Sequence, residues 1–282
     1  MRRYMLKSAA TSGGRNMLKI KNYVRAESLE QAYELNQKKS TCILGGMLWL
    51  KMSSRTFQTA VDLSDLGLDQ IEETEEEFSI GAMVTLRQME QHEGLNRFSD
   101  GAAAESVKQI VGVQFRNLAT VGGSIFGRFG FSDVLTFFLA LDSYVELYHG
   151  GIIPMEQFAA QPYDRDILIR VIVKKNHAKC VYLTHRNTKT DFPVLACAVS
   201  VLNGKGYAVI GARPGRAQRR MLPDTWEEMC RQEETRKELA EQTAAQFTFG
   251  SNMRASAQYR EHLAKVLLKR GFQKLEEEGG GN

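Results

Sequence analysis

Apolar residues occur in short runs along the first 175 positions, and polar or glycine-containing turns separate the runs. Two helix starts are marked by capping-box patterns, in which Ser28 and Thr85 each precede a glutamine by three residues. Residues 134–142 are apolar on almost every side, which predicts a buried helix. The remaining runs have the length and the β-branched content of short strands. They are MLKIKNYV (17–24), TCILGG (41–46), TAVDL (59–63), FSIGAMV (78–84), SYVELYH (143–149) and DILIRVIV (166–173).

The pattern changes near residues 174–178, where the sequence reads KKNHA. Longer apolar runs follow, separated by turn residues, and they predict an antiparallel sheet. These runs are KCVYLTH (179–185), FPVLACAVSVL (192–202) and YAVIGA (207–212). Residues 223–247 and 255–272 then have helical patterns. A sheet followed by helices indicates an α+β domain, which we expect to span 176–275.

The two ends of the chain are expected to lie outside the domains. Residues 1–16 are basic, lack an acid and lack the apolar stretch of a secretory signal. We therefore predict a disordered leader, or a start codon placed upstream of Met17. The acidic and glycine-rich stretch 276–282 is expected to be a disordered tail.

Charge and cysteine content exclude several functional classes. Lys and Arg total 37 against 33 Asp and Glu, and this small excess is not clustered enough for a nucleic-acid binder. No apolar run reaches the length of about 18 residues that a membrane span requires. The cysteines, Cys42, Cys180, Cys197 and Cys230, form no C-x-x-C pair, so this chain alone is not expected to hold an iron–sulfur or zinc cluster. Such cysteine usage fits a reducing cytoplasm.

Two glycine-rich stretches carry the candidate chemistry. In CILGGMLWLK (42–51), Gly45 and Gly46 follow a predicted strand. Glycines at a strand end allow positive φ and let backbone N–H groups approach an anion closely. Neither the phosphate-binding G-x-x-x-x-G-K-[ST] motif nor the dinucleotide motif G-x-G-x-x-G is present. An ordinary tight turn therefore remains an alternative at this point.

The second stretch is ATVGGSIFGRFGFSD (119–133). Its paired glycines lie between the hydroxyls of Thr120 and Ser124, and Ser132 and Asp133 begin the apolar helix. A pyrophosphate needs donors from more than one loop, and a sugar-like hydroxyl needs a carboxylate acceptor. Two separated glycine loops and one carboxylate meet these needs. A loop followed by an N-capped helix explains the second stretch equally well when it is taken alone.

Taken together, the two stretches resemble the FAD-binding subunit of molybdenum hydroxylases, the family of xanthine dehydrogenase and the carbon monoxide dehydrogenase flavoprotein. That family reads roughly AGGTDLL and RNxATIGGNI…SDxxPxLLALDA, where this chain has LGGMLWL (44–50) and RNLATVGGSIFGRFGFSDVLTFFLALDS (116–143). IGAMVTL (80–86) is similar to the family's IGAxxTL, and QYREHLAKVLLKR (258–270) is similar to its SxYRxxLAxVLxxR ending. The resemblance covers about residues 17–272.

The resemblance implies a fold and a function. The fold is an FAD-binding domain of the vanillyl-alcohol-oxidase/PCMH type at 17–175, in two subdomains of about 17–72 and 73–175, followed by the α+β domain at 176–275. The function is a xanthine dehydrogenase-like electron-transfer subunit of a cytoplasmic heterotrimer. Substrate oxidation would occur at a molybdopterin centre on one partner, and [2Fe–2S] clusters on another would deliver electrons to FAD. An acceptor such as NAD+ would then receive them, and no nucleic acid or membrane is involved.

The resemblance also implies the residues that contact FAD. No catalytic or metal-ligating residue is implied, and we assign none of the five histidines such a role. Asp133 is expected to hold a ribityl or ribose hydroxyl, while Ile110 and Leu168 fit a core position equally well. The implied set is Cys42, Ile43, Leu44, Gly45, Gly46, Met47, Leu48, Trp49, Ile110, Thr120, Val121, Gly122, Gly123, Ser124, Asp133 and Leu168. Arg186 and Lys189 are candidates for a basic residue that some members carry, or are surface charges.

Several positions depart from the family pattern. Met47 replaces a usual Thr or Ser, Ser124 replaces Asn, and Trp49 is unusually large. Phe126, Phe129 and Phe131 make the second loop more aromatic than the common small-residue version. Two alternatives therefore stay open. One is a stand-alone FAD reductase similar to the enolpyruvyl-sugar reductases, and the other is a scaffold subunit that has lost FAD.

Overall fold

A computed structural model describes residues 17–176 and 178–279, which form three sheets and the helices around them. The expected leader at 1–16 and the last residues of the expected tail, 280–282, lie outside the described residues. The α+β class predicted from the sequence is confirmed.

The first unit is a small parallel sheet with the strand order β1-β3-β2. Its strands and helix are β1 (Lys19–Arg25), α1 (Leu29–Asn36), β2 (Thr41–Leu44) and β3 (Thr56–Asp62). The Ser28 hydroxyl accepts from the N–H of Gln31 at 3.1 Å and so caps α1, but the Gln31 side chain accepts from Glu27 rather than from Ser28. Strand β2 ends at the first glycine pair, so the sheet presents that loop at its carboxyl edge.

The second unit is an antiparallel sheet with the order β4-β5-β8-β6-β7, and short helices surround it. The capping box at Thr85 is present in full. Every residue of α7 is buried, as its apolar pattern predicts. The elements are β4 (Ile71–Glu73), β5 (Glu77–Gly81), α2 (Leu86–Gln91), α3 (Glu93–Phe98), α4 (Ala102–Val107), α5 (Val113–Arg116), α6 (Val121–Ile125), α7 (Asp133–Leu139), β6 (Ser143–Leu147), β7 (Gly151–Pro154), α8 (Met155–Ala160) and β8 (Leu168–Lys174).

The third unit is an antiparallel sheet of the order β12-β11-β10-β9, with two longer helices packed on it. A polar strand, QRRM, joins the predicted sheet, and its composition gave no apolar signal. The predicted helix over 223–247 is interrupted and forms two helices. The elements are β9 (Lys179–His185), β10 (Leu195–Leu202), β11 (Lys205–Gly211), β12 (Gln218–Met221), α9 (Trp226–Cys230), α10 (Glu233–Ala244) and α11 (Ala257–Gly279).

The expectation of a disordered tail is wrong for residues 276–279, because α11 continues through them. Glutamate is a good helix former, so the run of three glutamates does not end the helix. The carboxylate of Glu276 also forms an ion pair with Arg236 of α10, which ties this end of α11 to the domain.

Arginines near β12 join the third unit to the second. Nη1 of Arg216 donates to the carbonyl oxygens of Ala159 and Ala160 at the end of α8, at 3.1 and 2.7 Å. The side chain of Arg219 forms an ion pair with Glu156 of the same helix at 2.9 Å. Carbonyls at a helix end lack partners within the helix, so guanidinium donors satisfy them across the domain boundary. These contacts fix the third unit over the site described next.

Candidate functional site

A cavity of about 750 Å³ lies where the three units meet. The first and the second glycine loops both line it, and residues 186 and 190–192 of the third unit complete the lining. Every predicted site residue lines this cavity except Val121, whose side chain is fully buried in the core of the second unit. The structure thus brings together residues that are far apart in the sequence.

Unpaired backbone donors characterise the first glycine loop, which we define as residues 45–49. This segment lies between β2 and a 3₁₀ turn at Leu50–Met52. None of its five N–H groups donates a hydrogen bond within the part of the chain that the structure describes. Successive N–H groups without acceptors form a concavity that attracts an anion. The loop therefore has the donor set that a pyrophosphate requires.

The glycines of the first loop are required by close contact rather than by backbone angle, which corrects the sequence-based reasoning. Neither Gly45 nor Gly46 has a positive φ, whereas Met47 does, at 59°. A Cβ at Gly46 would overlap the carbonyl oxygen of Leu118, and one at Gly45 would lie 2.8 Å from Oγ1 of Thr120. Glycine thus lets the two walls pack backbone against backbone.

In the second glycine loop, residues 120–124, the N–H groups after Thr120 all have acceptors. The N–H groups of Val121 and Gly122 donate to the carbonyl oxygens of Val84 and Ala82, each at 2.8 Å. Those of Gly123 and Ser124 donate to Oγ1 and to the carbonyl oxygen of Thr120, at 3.1 and 3.0 Å. The expectation that backbone N–H groups of both loops hold a ligand therefore fits only the first loop in this structure.

The carboxylate of Asp133 is buried at the start of α7 and has two partners from the third unit. The Tyr182 hydroxyl donates to Oδ1 at 2.7 Å, and Nη2 of Arg186 lies 2.8 Å from Oδ2. Burial raises the pKa of Asp133, while the Arg186 charge and the Tyr182 hydrogen bond act to lower it. Burial and the neighbouring carboxylate raise the pKa of Tyr182 as well, so its hydroxyl stays protonated.

Arg186 is the basic residue that the structure brings to the cavity. Its side chain is 4% exposed, and Nη1 donates to the carbonyl oxygen of Asp191. Nε has no hydrogen-bond partner, and Nη2 approaches Asp133 without hydrogen-bond alignment. Buried donors without acceptors are costly, so these atoms suit an acceptor on a ligand. Lys189, the other candidate, is exposed and does not line the cavity.

The segment before the second loop is held by a buried arginine. Nε and Nη2 of Arg116 donate to the two carboxylate oxygens of Glu90 at 2.8 and 3.1 Å, and Nη1 donates to the carbonyl oxygen of Ile110 at 3.2 Å. Burial would raise the pKa of Glu90, but the hydrogen bonds from Arg116 and Arg87 hold that pKa below its ordinary value. Ile110 is fixed in this way against the cavity, where Leu168 also lies.

Of the residues that the third unit contributes, sequence reasoning proposed Arg186 but missed Tyr182 and Phe192. Tyr182 has the strand pattern of β9, and Phe192 precedes a proline at the start of an apolar run, so neither carried a site signal. Each residue makes its contact with a position far away in the sequence. Tyr182, for example, contacts Asp133, which lies 49 residues earlier.

No group of three or more His, Cys, Asp or Glu residues is placed to bind a metal ion in residues 17–176 and 178–279. Among these same residues, no helix combines the length and the apolar character that crossing a membrane requires.

The two domains of the fold match two protein-family models. Residues 17–175, more than half of the chain, match the family described as the FAD binding domain in molybdopterin dehydrogenase. Residues 181–275 match the CO dehydrogenase flavoprotein C-terminal domain. The chain therefore belongs to the FAD-binding subunits of the molybdenum hydroxylase family.

The chain is also similar to individual proteins and solved structures. The uncharacterized protein YgfM of Escherichia coli K12 is 28% identical over 194 residues, which cover 67% of this chain and 73% of YgfM. A chain of quinoline 2-oxidoreductase from Pseudomonas putida 86 superimposes with a TM-score of 0.77 at 18% identity, covering 90% of this chain and 95% of that one. A chain of carbon monoxide dehydrogenase from Hydrogenophaga pseudoflava gives 0.76 at 19% identity, covering 88% and 94%. At these identities the structures support the fold alone.

Proposed function

We propose that this chain is the FAD-binding electron-transfer subunit of a xanthine dehydrogenase-like molybdenum hydroxylase. It would take electrons from [2Fe–2S] clusters of one partner subunit, while a molybdopterin centre on another oxidises the substrate. An acceptor such as NAD+ would receive the electrons from this chain. A cytoplasmic location is part of the proposal, and the wide spacing of the four cysteines in the sequence supports a reducing compartment.

The first glycine loop carries this proposal. The N–H groups of residues 45–49 have no acceptor among the residues that the structure describes, and they would donate to the negatively charged oxygens of a pyrophosphate. The unpaired buried donors of Arg186 add a cationic contact elsewhere on the cavity wall. The residues present therefore fit a dinucleotide cofactor.

The chain's own residues would bind and orient the cofactor. FAD, when bound, supplies the electron-accepting and electron-donating chemistry. Residues 45–49 would hold the pyrophosphate, with Thr120 and Ser124 on the facing wall. Asp133 would accept from a ribityl or ribose hydroxyl with the lone pairs that Tyr182 and Arg186 leave free. Ile110 and Leu168 would contact the flavin, and the remaining members of the predicted set would complete the walls.

The test is the FAD content of the purified chain, from its visible absorption spectrum and from flavin released by heat. We expect one FAD per chain, either as purified or after reconstitution. Purification with two partner subunits, one holding [2Fe–2S] clusters and one holding molybdopterin, would support the electron-transfer role. A flavoprotein without partners would instead favour the stand-alone reductase. A chain that takes up no FAD would favour the scaffold.

A further inference from the structure

A buried guanidinium near the start of α11 has no carboxylate partner. Arg260 is 0% exposed, and its Nη2 donates to Oδ1 of Asn252 at 2.6 Å. Its remaining donors reach the carbonyl oxygens of Val194, Gly250 and Ala255, at 2.9, 2.8 and 2.6 Å. All of these acceptors are neutral, whereas buried charges are ordinarily paired with an opposite charge. The contacts of Arg260 therefore satisfy its hydrogen bonds without cancelling its charge.

A second buried guanidinium, that of Arg213, is held in the same way. Arg213 is 7% exposed, and its Nε donates to the carbonyl oxygen of Arg216 at 2.8 Å. Its Nη1 donates to the carbonyl oxygen and to Oγ1 of Thr248, at 2.6 and 2.8 Å. These acceptors are neutral as well, so the third unit holds a second charge that its own contacts do not cancel.

A third arginine, Arg254, makes the one ion pair that these three arginines form within the described residues. Its Nη2 and Nε donate to Oδ1 and Oδ2 of Asp191 at 3.0 and 3.3 Å, and these hydrogen bonds lower the pKa of Asp191. Burial and the charge of Arg254 lower the pKa of Arg260, so these two guanidinium groups are close enough to repel each other. Three guanidinium groups with one paired carboxylate leave an excess of positive charge.

A small cavity of about 260 Å³ lies among these groups. Arg254 lines it, and so does Asn252, the hydrogen-bond partner of Arg260. Gly215 lines it as well, and a Cβ added there would lie 3.5 Å from Cζ of Arg213. Gly215, Asn252 and Arg254 do not line the cavity assigned to FAD. The excess of positive charge therefore lies beside a cavity whose polar lining is its own.

Three donors of this lining have no acceptor among residues 17–176 and 178–279. They are Nη1 of Arg254, Nδ2 of Asn252 and the N–H of Gly215. The amide of Asn252 has a fixed orientation, because its Oδ1 accepts from Arg260 and, at 2.9 Å, from the N–H of Arg254. The cavity thus offers a guanidinium, a side-chain amide and a backbone N–H to an acceptor.

We propose that the small cavity binds a small oxyanion, a carboxylate or a phosphate. Guanidinium groups donate paired hydrogen bonds to both kinds of anion. The volume of about 260 Å³ lies below the roughly 300–1,000 Å³ of cavities that hold drug-sized ligands, so the site is too small for a dinucleotide. The inference goes beyond the proposed function and does not depend on it, because all three donors belong to the third unit.

Two-dimensional ¹H–¹⁵N NMR of the FAD-loaded chain tests the site with inorganic phosphate and with acetate, at constant ionic strength. We expect at least one of the anions to shift the signals of the Gly215 N–H and the Asn252 side-chain amide until they saturate. Tighter binding of phosphate identifies a phosphate site, and tighter binding of acetate identifies a carboxylate site. Signals that saturate with neither anion would overturn the inference.

Acetamide tests whether charge is what the cavity recognises, because it has the shape of acetate without the negative charge. For a carboxylate site, acetamide should bind at least about tenfold more weakly than acetate. For a phosphate site, it should bind at least about tenfold more weakly than phosphate. Acetamide that binds as tightly as the preferred anion would overturn the inference.

Arg254→Met locates the site, because methionine removes the guanidinium and keeps an unbranched side chain. We expect it to weaken anion binding by about tenfold or more. Arg270→Met is the matched control, since Arg270 is exposed on α11 and lines neither cavity, and it should bind the anion as the wild type does. Wild-type affinity in Arg254→Met would overturn the inference.

Asp191→Asn should act in the opposite direction, and it keeps the inference testable if Arg254→Met does not fold. Loss of the Asp191 charge frees the Nε and Nη2 donors of Arg254 for the anion. The affinity for the anion should therefore rise, by about threefold to tenfold. Unchanged or weaker anion binding in Asp191→Asn would count against the site.

The same spectra separate this site from the proposed FAD site. A chain that takes up no FAD contradicts the proposed function, and titration of the free chain then still tests the small cavity. Anions bound at the first glycine loop of the free chain would shift the signals of residues 45–49 instead of those of Gly215 and Asn252. A chain that holds FAD but shows no saturable shift at Gly215 would overturn the anion site alone.

Discussion

The two glycine loops have the same central dipeptide but different roles in the structure. The first, residues 45–49, lies at the edge of a parallel sheet, and its backbone N–H groups have no acceptor among residues 17–176 and 178–279. The second, residues 120–124, uses the N–H groups after Thr120 to begin α6 and to bond the segment before α2. The difference teaches that a Gly-Gly pair can serve ligand binding in one place and backbone packing in another. We therefore expect substitutions in the two walls to separate FAD affinity from stability.

Gly46→Ala is expected to have the largest effect on FAD binding and stability, because it disrupts the close contact between the first loop and the segment before the second. The new Cβ would overlap the carbonyl oxygen of Leu118, and backbone atoms cannot move aside as a flexible side chain can. We expect loss of FAD binding and a decrease of about 3 kcal/mol in the free energy of unfolding. FAD titration and urea unfolding measure the two effects.

Gly112→Ala is the matched control for this substitution, since a Cβ there meets only the Gln114 side chain at 3.7 Å and φ is −150°. Unchanged FAD binding in Gly46→Ala would show that the close approach of the loops does not shape the site.

Asp133→Asn should affect stability almost as strongly. It leaves the buried charge of Arg186 without its carboxylate, which costs about 3 kcal/mol. Adding Arg186→Met removes the stranded charge, so the double variant should recover part of the stability. FAD affinity should stay low in the double variant if Asp133 and Arg186 contact the cofactor. Recovery of both stability and FAD affinity would show that Asp133 and Arg186 stabilise the fold without contacting the cofactor.

Glu90→Gln tests the second wall, because its effect on stability should depend on pH. The Glu90 carboxylate anchors the second wall through Arg116, and the pKa of Glu90 is lowered in the folded state. We expect a loss of about 2 kcal/mol at pH 7.

A lowered carboxyl pKa stabilises the fold above the unfolded value of about 4.3, and this stabilisation is lost as pH falls through the folded pKa. The difference in the free energy of unfolding between the wild type and Glu90→Gln should therefore shrink at acidic pH. A stability difference that stays constant from pH 7 to pH 3 would contradict this assignment.

Met47→Gly should have the smallest effect on the free energy of unfolding, and it should stabilise the fold rather than destabilise it. A non-glycine residue with φ of 59° is strained, and glycine removes that strain while adding conformational entropy to the unfolded chain. We expect a net gain of about 0.5 kcal/mol in the free energy of unfolding. Met47→Ala keeps the strain and should show no gain. A loss of stability in the glycine variant would mean that Met47 packing outweighs its backbone strain.

Local features of the fold could be predicted from the sequence. The cap at Thr85 involves neighbours three residues apart, and the buried helix α7 shows its burial in its own composition. The polar strand β12 could not be predicted, because its place depends on pairing with β11 rather than on an apolar pattern. Residues 276–279 appeared disordered because the stabilising partner of Glu276, Arg236, is distant in sequence.

The sequence could predict the site residues that belong to local motifs, but it could not predict those that depend on long-range contacts. The glycine loops and Asp133 stand out in the sequence, and the structure brings them to one cavity. The sequence could not show why residue 46 is glycine, because a tight backbone contact and a positive φ leave the same sequence signal; here the cause is the contact with Leu118, and φ is not positive. Phe192 reaches the cavity, and Tyr182 reaches Asp133, only because the third unit packs against the other two, and such long-range contacts leave no local pattern in the sequence.

Amide hydrogen exchange with and without FAD tests the central claim most directly, because that claim assigns the cofactor's pyrophosphate to the N–H groups of residues 45–49. In the free chain these amides should exchange fast, since they lack acceptors, while those of residues 121–124 should be protected. Saturating FAD should slow exchange at 45–49 and leave 121–124 nearly unchanged. Protection that appears at 121–124 or elsewhere, with 45–49 still exchanging freely, would contradict the claim.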